Sequence, residues 1–245
     1  MCDKKSVAII TGSSRGIGAA IAIRLASDGF SVVVNFANNE TEALKIVHKI
    51  EQLGGSALAI QADVSNAKEV AHLFEETEAI YGQPDVLINS AGIMYLSPIA
   101  EYSDELFDKT VAVNLKGTFN TLREASNKLK DGGRIVNLST SVIGLNLPTY
   151  SVYAATKAAV ETMTAILSKE MRGRSITVNS VAPGPTATAL FLDGKSNEQI
   201  EALAKMNPLE RLAEPTDIAN TVSFLVSYQG GWLNGQTLRA NGGMV

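Results

Sequence analysis

Tyr153 and Lys157 stand four residues apart in the run Tyr-Ala-Ala-Thr-Lys, and three hydroxyls, Ser139, Thr140 and Ser141, lie a short way upstream. On a helix this spacing puts both side chains on one face. An ammonium beside a phenol favours the phenolate and draws a tyrosine down from its ordinary pKa of about 10 toward working pH. Such a tyrosine serves as a general acid or base. Alone, the same pattern also describes an amphipathic pair on a surface helix, so the surrounding elements must decide.

Those elements begin with a glycine loop. Thr11-Gly12-Ser13-Ser14-Arg15-Gly16-Ile17-Gly18 follows a predicted strand over residues 6–11 and opens a predicted helix over 17–27. In that setting Gly12, Ser14, Ile17 and Gly18 read as a phosphate cradle. Glycines let the backbone turn tightly against a pyrophosphate, whose charge meets N–H groups and the helix dipole. An acid that would hold NAD ribose hydroxyls belongs at the end of the second strand. The sequence there is Asn35-Phe36-Ala37-Asn38-Asn39, with Asn35 assigned to the cofactor site. Arg15 facing a 2′-phosphate then favours NADP(H); Glu40 or another acid on the ribose is the alternative, under which NAD(H) would serve. Asp63 and Val64, after the third strand, stand where an adenine can be reached, although a turn aspartate reads the same way.

Short β-branched runs alternate with helical patterns along the whole chain, the rhythm of successive βαβ units around a mostly parallel sheet. Strands are expected at 6–11, 31–35, 57–61, 86–89, 134–138, 176–181 and 236–238. Helices are expected at 17–27, 40–53, 67–81, 103–113, 115–129, 151–171 and 215–226, with Asn114 at a junction and a weak helix near 197–205. The connection over 186–207 is longer than compact domains normally use, which marks it as a candidate substrate lid. One domain over 1–245 is expected, with a cofactor half to about residue 145 and a catalytic and substrate half beyond it.

Composition narrows the class. The 245 residues are 45% hydrophobic and 19% charged with a net charge of -4, and the basic residues are scattered, which speaks against nucleic acid as partner. No apolar run approaches the roughly 20 residues of a membrane span. Cys2 is the only cysteine, so neither a disulfide nor a cysteine metal site is expected, and a reducing cytoplasm fits. The short lead into the first strand leaves no room for a signal peptide. His48 and His72 lack partners at metal-site spacing and are expected to face solvent, so no metal is expected.

Taken together, the chain resembles the short-chain dehydrogenase/reductase family over nearly its whole length. The landmarks are Thr11-Gly12-x-x-x-Gly16-x-Gly18, Asn89-Ser90-Ala91-Gly92, Asn114, a serine after strand five, Tyr153-x-x-x-Lys157 and Pro183-Gly184. The resemblance implies a Rossmann-type doubly wound parallel β-sheet flanked by helices on both faces, a nicotinamide cofactor and hydride transfer at a carbonyl or alcohol carbon. It gives Tyr153 the proton, Lys157 the nicotinamide ribose, and Asn114 a water joining Lys157 to solvent. It places Asn89, Ala91 and Gly92 against the cofactor, and Pro183, Gly184, Thr186 and Thr188 near its carboxamide and phosphate. The serine followed by two residues and a glycine is Ser141, although it lies one residue closer to Tyr153 than is usual. Ser139 is the second choice; Thr140 has the commonest spacing but should point the other way if strand alternation continues.

For the substrate, Leu190, Phe191, Leu192, Met206, Met94, Tyr95, Leu145, Leu147 and Tyr150 are expected to line an apolar mouth. A ketone, an aldehyde or an acyl-thioester carbonyl fits it better than a small acid. The pattern is most similar to 3-oxoacyl-acyl-carrier-protein reductase-like members, and the family implies a homotetramer or homodimer. An NAD-linked sugar or polyol dehydrogenase, or a non-catalytic cofactor-binding scaffold, are the competing readings.

Overall fold

Seven short runs rich in valine, isoleucine and alanine pair in parallel into one sheet: β1 (Val7–Ile10), β2 (Ser31–Phe36), β3 (Ser56–Gln61), β4 (Val86–Asn89), β5 (Arg134–Leu138), β6 (Thr177–Pro183) and β7 (Thr237–Ala240). The computed structural model describes residues 5–245, so Cys2 lies outside the described residues. Strand order is β3-β2-β1-β4-β5-β6-β7. Every residue of β1, β2 and β4 is buried, as expected of strands covered on both faces. The order reverses between β1 and β4, and a crevice opens at that point beyond the carboxyl ends of the strands.

The helices are α1 (Gly16–Ser27), α2 (Glu40–Gln52), α3 (Ala67–Tyr81), α4 (Asp104–Thr110), α5 (Gly117–Lys128), α6 (Val142–Leu145), α7 (Ser151–Glu170), α8 (Ala189–Leu192), α9 (Asn197–Ala204) and α10 (Pro215–Val226). Period-two alternation splits the strand side chains between two cores. Val32 and Val34 pack with Ile21 and Leu25 of α1, Ile50 of α2 and Leu225 of α10. Val33 and Leu87 pack on the other face with Phe74 of α3, Leu122 of α5 and Leu167 of α7. Local signals set the ends: Asn39 and Asn66 cap α2 and α3 through their side chains, and α10 starts with a Glu214/Asp217 capping box and Pro215 in its first turn.

The expected doubly wound architecture is present, with three local differences. The helices expected at 103–113 and 115–129 are one continuous rod, because residues Val111–Lys116 make a π-helical turn that carries Asn114 instead of a break. Strand β6 runs on to Pro183, whose register partner is Ala240 of β7. The short helices α6 and α8 lie where no helix was expected, since four residues carry too little periodicity to register. Among the described residues no helix is long and apolar enough to cross a membrane, and no cluster of three metal-ligating side chains occurs.

Candidate active site

The glycine loop is shaped by close backbone approach. Gly12 has φ +61°, and a Cβ there would stand 2.7 Å from Ala91 Cα; one on Gly18 would stand 2.6 Å from Gly12 O. A side chain at Gly12 would force the turns after β1 and β4 apart, and one at Gly18 would push α1 away from the loop that precedes it. Thr11 Oγ1 holds those turns together by accepting from Ser90 N and Ala91 N, both at 3.1 Å. The Asn35 carboxamide accepts from Gly12 N at 3.2 Å and donates to Ala62 O at 3.0 Å. Asn35 lines the cleft as expected, and these two bonds make it a brace of the cradle.

A cleft of about 560 Å³ runs from this loop across the carboxyl edge of the sheet. Gly12, Ser14, Arg15, Ile17, Gly18, Asp63, Val64, Ala91, Gly92, Tyr153, Lys157, Pro183, Gly184, Thr186 and Thr188 all line it. Asn89 does not, contrary to expectation. It donates to Asn137 Oδ1 at 2.8 Å and accepts from Thr121 Oγ1 at 2.7 Å, inside the sheet layer. Its position as the last residue of β4, opposite Asn137 in register, turns the side chain sideways into the neighbouring strand. A dinucleotide fits what remains. Volume is in the range of small-ligand sites, the loop leaves room only for backbone against a pyrophosphate, and a Cβ on Gly92 would come within 3.6 Å of Lys157 Nζ.

The Lys157 ammonium is buried and donates to Leu138 O at 2.8 Å. Burial pulls its pKa down to about 8. Asn114, fully buried, receives Ile93 N on Oδ1 and donates Nδ2 to Ile93 O, both at 2.9 Å. Its carboxamide therefore clamps the chain after Gly92 and does not open onto the cleft. Tyr153 differs from the sequence-based expectation. Burial pushes its pKa up to about 12, with a hydrogen bond from Thr140 lowering it and the neighbouring Tyr150 raising it, and Lys157 is not among the groups that move it. The lysine lies on the same helix face and directs one of its three N–H groups to Leu138 O.

Of the three hydroxyls, then, Thr140 reaches the phenol. Ser139 Oγ donates to Glu161 Oε1 at 2.6 Å, and Ser141 Oγ donates to Ala182 O at 3.1 Å. Strand alternation fails as a guide here because the chain leaves the extended state after Leu138, and Ser141 already has helical angles of φ -68° and ψ -14°. Ser139, Thr140 and Ser141 all line the cleft, with the Ser141 hydroxyl engaged by Ala182 O and the Thr140 hydroxyl by the phenol, at the spacing to Tyr153 that the family most often shows.

The whole chain has relatives. A family model described as "Enoyl-(Acyl carrier protein) reductase" matches residues 12–245. An Arabidopsis thaliana protein named "NADPH-dependent aldehyde reductase 2, chloroplastic" is 46% identical over 260 residues, covering 100% of this chain and 96% of its own. A "Short-chain type dehydrogenase/reductase" of Picea abies is 43% identical over 249 residues, covering 98% and 92%. The chain is a short-chain dehydrogenase/reductase. A solved short-chain dehydrogenase of Burkholderia cenocepacia J2315, in complex with NADP, superposes with a TM-score of 0.93 at 33% identity, covering 98% of this chain and 97% of that one.

On the substrate side of this dehydrogenase/reductase, Met94, Leu145, Leu147, Tyr150, Leu190 and Phe191 line the cleft as expected, whereas Tyr95, Leu192 and Met206 do not. Ile93, Leu203 and Met244 line it as well and were missed. So were Lys109 and, at the Arg15 end, Phe36, Ala37, Asn38 and Asn39 as wall residues rather than as the site of a missing acid. Met244 lies far from the other site residues in sequence, and only the pairing of β7 with β6 brings it there.

The lysine sets a pH dependence. Its folded pKa lies below the ordinary value, so the cation is complete well below pH 8 and is lost as pH rises through about 8. Because kcat/KM for NADPH reports groups of the cofactor-free chain, it is expected to be level near neutrality and to fall with a one-proton slope above about pH 8. A profile level to pH 10 would show that the Lys157 charge takes no part in capturing the cofactor.

Proposed function

We propose that the chain reduces the carbonyl of an aldehyde, a ketone or a 3-oxoacyl thioester with NADPH, with Tyr153 as proton donor and Thr140 as hydrogen-bond donor to the same oxygen. The observation that carries this reading is the convergence of Tyr153, Thr140 and Lys157 on the cleft that holds the glycine cradle. When bound, the reduced nicotinamide supplies the hydride. Thr186 and Pro183-Gly184 would hold its carboxamide end, Lys157 its ribose, and Arg15 with Asn38 the 2′-phosphate, since all of them line the cleft. A phenol held at about 12 is protonated at neutral pH and so arrives loaded as an acid. As negative charge builds on the carbonyl oxygen, the Tyr153 O–H delivers its proton there and the Thr140 O–H, turned from the phenol to that oxygen, stabilises the developing charge. Asn114 acts through Ile93 as a positioning residue.

The apolar lining favours a substrate whose carbonyl carries hydrocarbon on at least one side, and helices α8 and α9 within 186–207 form its lid. The NADPH-dependent plant relative supports the cofactor, as does the lack of an acid at the end of β2. Following NADPH absorbance over a panel of aldehydes, ketones and acyl thioesters tests both. Turnover with NADPH at least tenfold above NADH is expected, and Arg15→Ala should weaken NADPH far more than NADH. Equal losses would return the chain to the NAD-linked dehydrogenase reading.

A cytoplasmic homotetramer belongs to the same reading. Phe107, Phe119 and Ile166 on α4, α5 and α7 are about half exposed, and Tyr228 and Trp232 beyond α10 are almost fully exposed, giving two apolar areas where a dimer needs one. Light scattering at a mass near four chains is the expected result.

A further inference from the structure

The Ser141 hydroxyl, left out of the reaction above, is held from the far end of the chain. It accepts from Asn241 Nδ2 at 3.0 Å while donating to Ala182 O, and its N–H donates to Pro183 O at 2.9 Å. Asn241 follows β7 and is buried. Its Oδ1 accepts from Gly243 N at 3.0 Å and Met244 N at 3.2 Å, and its Nδ2 reaches Val245 O at 3.2 Å. Two glycines make room for this turn: a Cβ on Gly184 would stand 2.9 Å from Asn241 Cα, and one on Gly144 would stand 3.1 Å from Val245 Cγ2. One carboxamide therefore ties the end of β7, the end of β6 and the segment before α6 into a single unit, and the turn it closes places Met244 in the cleft wall.

Thr140 sits within that unit. Its Oγ1 accepts from Val142 N at 3.3 Å, which leaves its own proton to donate, and the direction of that proton depends on how residues 140–142 are held. Ser141, between them, is anchored at both its backbone nitrogen and its hydroxyl. We propose that Asn241 is a positioning residue for carbonyl reduction: acting through the Ser141 hydroxyl, it aims the Thr140 donor at the reacting oxygen. The inference rests on Thr140 being that donor.

Asn241→Asp separates the two jobs of the side chain. The acid keeps an acceptor for Gly243 N and Met244 N but has no N–H for Ser141 Oγ or Val245 O. Ser141→Ala cuts the same link from its other end and serves where the first variant folds poorly. Each is expected to lower kcat about tenfold, as misaligned reacting groups do, with KM for NADPH within about twofold. Because both remove one link, the double variant should lose no more than the worse single one. An unchanged kcat in both variants, with only the melting temperature lowered, would overturn the proposal, as would losses that multiply in the double variant. If Thr140→Val leaves kcat intact, the Thr140 reading itself fails; if Thr140→Val lowers kcat while these variants do not, the inference about Asn241 fails alone.

Discussion

Tyr153→Phe is expected to lower kcat/KM for carbonyl reduction by about 10³-fold, within the span general acids contribute, while NADPH binding measured by calorimetry changes less than about twofold. The ring remains to fill its place on α7; only the proton is gone. Burial holds the phenol at about 12, so at neutral pH the wild-type acid is loaded in essentially every molecule, and the variant leaves the developing alkoxide to water. The same pKa works against the reverse reaction, which needs phenolate. Alcohol oxidation by the wild type should therefore keep rising with pH over the range where cofactor capture falls. A Tyr153→Phe enzyme within tenfold of wild type would mean that the proton comes from elsewhere, and Tyr150, which lines the same cleft, would be the next group to remove.

Thr140→Val keeps the shape of the side chain and deletes its hydroxyl. A loss of about 10²-fold in kcat is expected, the scale seen when one donor to a developing oxyanion is removed. Thr140→Ser should recover most of it, since the oxygen returns and only a methyl is lost. The deciding comparison is with Ser141→Ala, whose hydroxyl already serves Ala182 O and Asn241. If Ser141→Ala costs more than Thr140→Val, the reacting hydroxyl is Ser141 after all.

What the sequence made legible was repetitive or local. The valine run of β2 and the helical patterns of α2 and α3 each act within a few residues of themselves, so element order and most boundaries could be read directly. The glycine loop was legible for the same reason. Legibility ended where a side chain's partner is distant. The place of Asn35 at the cofactor cleft could be read, but not its bonds to Gly12 and Ala62, and Met244 carries no mark of the cleft it enters. Thr140 shows a different limit: extrapolating strand alternation across Leu138 ignored that a chain leaving a sheet starts to turn at once. Lys157 shows a third, because sharing a helix face with Tyr153 did not decide which oxygen the ammonium chose.

The hydrogen bonds of Asn89 have a mechanical consequence. Thr121 on α5, Asn89 on β4, Asn137 on β5 and Thr164 on α7 form one line through the sheet, with links of 2.7, 2.8 and 2.8 Å. Apolar layers tolerate sliding, because one hydrocarbon contact replaces another at little cost. A polar line does not, since a slip of a few ångströms would strand its members in hydrocarbon at about 1–3 kcal/mol each. The line works as a locating pin between two helices, one continuing the rod that carries Asn114 and the other carrying Tyr153. The reach from acid to cofactor is thus gauged from inside the sheet, by residues that never meet either.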